Sequence, residues 1–86
     1  MASIQDIANA AYRIGESAST AQARTAVCAD TLRSSASKLA ASVRGSRSGE
    51  DAVREVNNAE RAVRESAAKL LTLQSTIDRF IKDLTK

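Results

Sequence analysis

The chain has 86 residues, with 13 basic and 10 acidic side chains for a net charge of +3, and 43% apolar content drawn heavily from alanine, with one Phe, one Tyr and no Trp. That length allows one domain with a thin core, because large side chains supply most burial energy, roughly 1.5–3 kcal/mol each when fully buried. One cysteine and no histidine leave no structural zinc set, no intramolecular disulfide and no ordinary general base, so the composition argues against an enzyme and implies no cofactor.

The opening residues Met1 to Asp6 carry neither a basic leader nor an apolar run. The expectation is synthesis and residence in the cytoplasm with no membrane span. Ser3 followed by Asp6 reads as a capping-box-like helix start. From there a 3-4 spacing runs through Ile4, Ile7, Ala11, Ile14, Ala18, Ala21, Thr25, Cys28 and Leu32, then Ala36, Leu39 and Val43. A seam that long predicts a coiled-coil-like helix over about 4–43, spanning ~60 Å.

Arg44-Gly45-Ser46-Arg47-Ser48-Gly49 clusters glycine and serine at mid-chain, predicting a turn over about 44–49 with Gly45 as the helix C-cap. One continuous helix is the competing reading, since glycine costs only ~1 kcal/mol in a helix interior. Ser48 followed by Asp51 repeats the start signal. A second seam then runs Ala52, Val56, Ala59, Val63, Ser66, Leu70, Leu73, Ile77, Phe80 and Leu84, flanked by Val53, Ala67, Leu71 and Ile81. It predicts a helix over about 50–85. Acid-before-base pairs Glu50/Arg54, Glu60/Arg64, Glu65/Lys69 and Asp78/Lys82 each add ~0.2–0.5 kcal/mol.

The fold class expected is therefore all-α, two long antiparallel helices forming a coiled-coil-like hairpin. Reversal at the turn brings Leu70 near Ala21 to Cys28 and Ile77 near Ile14 to Ala18, so large residues meet small ones. Two helices leave each apolar stripe half uncovered, which predicts a four-helix assembly as a homodimer or with a related helical chain. The protein-interface candidates are Ile7, Ile14, Leu32, Leu39, Val56, Val63, Leu70, Leu73, Ile77 and Phe80.

Three other features have a plain reading beside a functional one. Cys28, on the first seam, reads as a small buried apolar residue, the alternative being a reactive thiol or intersubunit disulfide that no neighbouring group activates. Arg44, Arg47 and Arg54, with Arg33 and Lys38, bias the turn end positive and could hold an anion. Yet they lack stacking aromatics and are interrupted by Glu50 and Asp51, which argues against nucleic acid as the partner. Tyr12 reads as an edge residue with its hydroxyl in water.

Two antiparallel helices of about forty residues around a mid-chain glycine turn resemble the WXG100/ESAT-6-like family of small helical hairpins. That resemblance implies four-helix dimers, homomeric or with a sister chain, and export without a cleaved signal. The chain has Arg44-Gly45-Ser46 where the family has Trp-X-Gly, and its tail from Asp78 to Lys86 lacks the tyrosine of the family's export signal. The function expected is a non-enzymatic interaction module that dimerises or sheathes another helix. A small basic nucleic-acid-associated protein using the arginine-rich turn is the alternative.

Overall fold

A computed structural model describes residues 2–86. It contains two helices, α1 (Ile4–Ser42) and α2 (Arg47–Leu84), packed along their length as an antiparallel hairpin. Its extents are 63 × 20 × 13 Å, a rod one helix thick. The continuous-helix alternative is excluded.

Local chemistry sets the ends. The Asp6 backbone N–H donates to Ser3 Oγ at 3.0 Å and the Ser3 N–H to Asp6 Oδ2 at 3.3 Å, a complete capping box. The turn is tighter than its glycine and serine content implies. Val43 rather than Gly45 is the C-cap, and the Ser46 N–H closes on the Val43 carbonyl at 2.9 Å. Gly45 lies two residues beyond the cap with φ +88°, where an L side chain is strained. The start of α2 also moves. Ser46, not Ser48, is its N-cap, accepting from the Gly49 N–H at 3.2 Å. Ser46 takes that place because its extended backbone directs Oγ at the free N–H groups of the first turn.

Two contacts give the register. A Cβ on Gly15 would lie 3.4 Å from Ile77 Cγ2, and one on Gly49 would lie 2.4 Å from Val43 Cβ. In both pairs the residue numbers total 92, so residue i of α1 lies level with residue 92 − i of α2.

The seam that follows from this register differs from the one the apolar spacing suggests. In α1 the buried and half-buried positions are Ala8, Ala11, Gly15, Ala18, Gln22, Thr25, Ala29, Leu32, Ala36, Leu39 and Val43, with Ala21 and Ala26 half-buried at the edges. In α2 they are Gly49, Val53, Val56, Glu60, Val63, Ala67, Leu70, Gln74, Ile77, Ile81 and Leu84. Ile4, Ile7, Ile14 and Cys28 on α1, and Ala52, Ala59, Ser66, Leu73 and Phe80 on α2, are exposed instead. The reason is steric. Near the open end the α1 seam is lined by Ala8, Ala11, Gly15 and Ala18, and small residues let two backbones approach closely enough to exclude the larger isoleucines.

The consequence is a core without bulk. Its buried members are Ala8, Ala11, Ala18, Ala29, Ala36, Ala67 and Ile81, and Ile81, the one large side chain among them, still keeps 6% of its surface exposed. Polar groups enter the seam as well. Glu60 is half-buried and accepts from Arg64 Nε at 2.9 Å, while Arg64 also approaches Asp30 across the hairpin at 3.9 Å. Gln74 places its Nε2 in the seam without a hydrogen-bond partner in the protein.

Candidate functional site: an uncharged flank beside an alanine seam

Either side of the seam the hairpin presents a long flank built from positions seven residues apart on both helices. One flank starts at Ile7 on α1 and continues through Phe80 and Leu73 on α2. No position on it is charged on either helix, from Ile7 to Ser42 and from Ala52 to Phe80. The other flank carries Arg33, Glu50, Arg64 and Asp78, with Tyr12 and Leu71 as isolated exposed apolar residues.

The uncharged flank gathers four of the exposed large apolar residues, the others, Ile4, Tyr12, Val27 and Leu71, lying off it. Ile7 is 38% exposed, Ile14 49%, Leu73 38% and Phe80 44%. Two adjoining grooves run along it, of about 330 Å³ and 410 Å³. The outer is lined by Ile7, Ala10, Ile14, Ile77 and Phe80 with Asp6 beside them, and the inner by Ile14, Ala18, Ala21, Leu70 and Leu73 with Arg13 beside them. Large residues occupy only the open end, where the termini lie. Towards the turn the same flank is small: Cys28, Ser35 and Ser42 on α1, Ala52, Ala59 and Ser66 on α2.

The ten interface candidates thus divide. Ile7, Ile14, Leu73 and Phe80 form the exposed flank. Leu32, Leu39, Val56, Val63, Leu70 and Ile77 are half-buried in the contact between the chain's own helices. Cys28 is exposed on the uncharged flank, not enclosed, because the seam passes through Thr25 and Ala29 on either side of it. Tyr12 is 55% exposed on the charged flank.

The turn arginines do not form an unopposed cluster. Arg54 pairs with Asp51 at 3.0 Å rather than with Glu50, and the Glu50 carboxylate accepts from the Gly45 N–H at 3.4 Å. Arg44 and Arg47 are exposed and have no ion pair among the described residues. Of the acid-before-base pairs expected along α2, Glu60/Arg64 forms. The hydrogen bond from Arg64 to Glu60, reinforced by the carboxylate's charge, raises the guanidinium above its ordinary pKa. Glu65/Lys69 and Asp78/Lys82 are not in contact. Such solvent-facing pairs hold long side chains at an entropic cost close to their Coulombic gain.

Among the described residues no group of three or more His, Cys, Asp or Glu could hold a metal ion, and no helix is long and apolar enough to cross a membrane. Comparison of the chain with protein-family models, with curated proteins and with solved structures returns no match.

Proposed function

We propose that the hairpin is a non-enzymatic protein–protein interaction module that acts by packing its uncharged flank against other helices, either a second copy or another helical protein. The observation that carries this reading is the division of apolar residues. The chain spends alanine on its internal seam and leaves Ile7, Ile14, Leu73 and Phe80 outside it, 38–49% exposed. An apolar groove bounded by helical ridges is the shape into which another helix packs.

The architecture resembles WXG100/ESAT-6-like hairpins, and the reading takes from that resemblance only a mode of action, helix against helix. The turn arginines give less support to the nucleic-acid alternative, because Asp51 and Glu50 engage the same segment.

The test compares native mass with variants on the flank. By sedimentation at micromolar concentration, alone and after co-purification from the source cell, the protein is expected in a complex larger than one chain. Leu73→Ala and Phe80→Ala, which leave the alanine seam intact, are expected to weaken that complex while helicity persists. A monomer under both conditions, or complexes indifferent to both substitutions, overturns the proposal.

A further inference from the structure

We draw no further inference here: the strongest candidate, the cleft of about 230 Å³ on the charged flank near the open end, lined by Tyr12, Glu16, Ser19, Gln74 and Asp78, rests on two exposed carboxylates, and its unpartnered Gln74 amide belongs to the half-buried seam already described, so nothing in the structure shows what fills it.

Discussion

Gly49 lies directly beneath Val43: a Cβ built at position 49 would come within 2.4 Å of the valine Cβ and 2.8 Å of its Cγ2. The glycine that resembles loose turn punctuation in the sequence is a contact point between the end of α1 and the first turn of α2. Gly49→Ala gains ~1 kcal/mol of helix propensity, but the overpacking it introduces costs about 1–3 kcal/mol. Net destabilisation is expected in urea unfolding. The exchange Val43→Gly/Gly49→Ala removes the collision and is expected to recover part of that loss, giving a double-mutant cycle with clear coupling.

The cap of α2 offers a second comparison. Ser46 accepts the Gly49 N–H, whereas Ser48 is an exposed residue already inside the helix. Ser46→Ala is expected to cost about 1 kcal/mol and Ser48→Ala less than about 0.5 kcal/mol. Thermal unfolding of the two variants decides between the two serines as the helix start.

Gln74 occupies a seam position with Nε2 unpartnered, and an unpaired buried polar group costs about 1–3 kcal/mol. Gln74→Leu is expected to stabilise the chain by about 1 kcal/mol with an unchanged denaturant slope. A destabilised variant would show that the amide contributes more through packing than it loses through its missing hydrogen bond.

Ile81 and Phe80 are sequence neighbours with opposite roles. Ile81 is 6% exposed and Phe80 44%. Ile81→Ala removes a large enclosed side chain and is expected to cost about 2–5 kcal/mol, enough to unfold a core of this size. Phe80→Ala is expected to change the stability of the isolated chain by under about 1 kcal/mol while weakening the helix-against-helix association proposed for its flank. Circular dichroism and sedimentation on the same samples separate the effects.

Much of the fold could be read from the sequence, because two long 3-4 patterns around the segment from Arg44 to Gly49 admit few other arrangements. Ser3 with Asp6 marks the first helix start, and the opposition of Ile77 and Leu70 to the small residues of α1 follows from folding about the turn. The seam itself was harder to place. Large apolar residues dominate a hydrophobic pattern, yet here Ile7, Ile14, Leu73 and Phe80 stand beside the contact and alanines form it. A local sign was present: the step from Cys28 to Leu32 to Ala36 repeats a spacing of four, breaking the 3-4 alternation. A register running back from Val43 and Leu39 without that break reaches Gln22, Gly15 and Ala8, the observed line. Gln22, Glu60 and Gln74 hide it because no hydropathy pattern places polar residues in a seam.

The four-residue link from Val43 to Ser46 also governs the order in which the hairpin closes. Pairs beside it join residues a few positions apart, whereas bringing Ala11 to Ile81 closes almost the entire chain, and the entropic cost of closure grows with the length enclosed. Assembly is therefore expected to proceed like a zipper, away from the link. The last stretch to shut, and the first to fray, is the one bearing the isoleucines and the phenylalanine. A molecule that caps this stretch acts on the weakest teeth of the zipper, so its concentration would determine how long the rod stays closed.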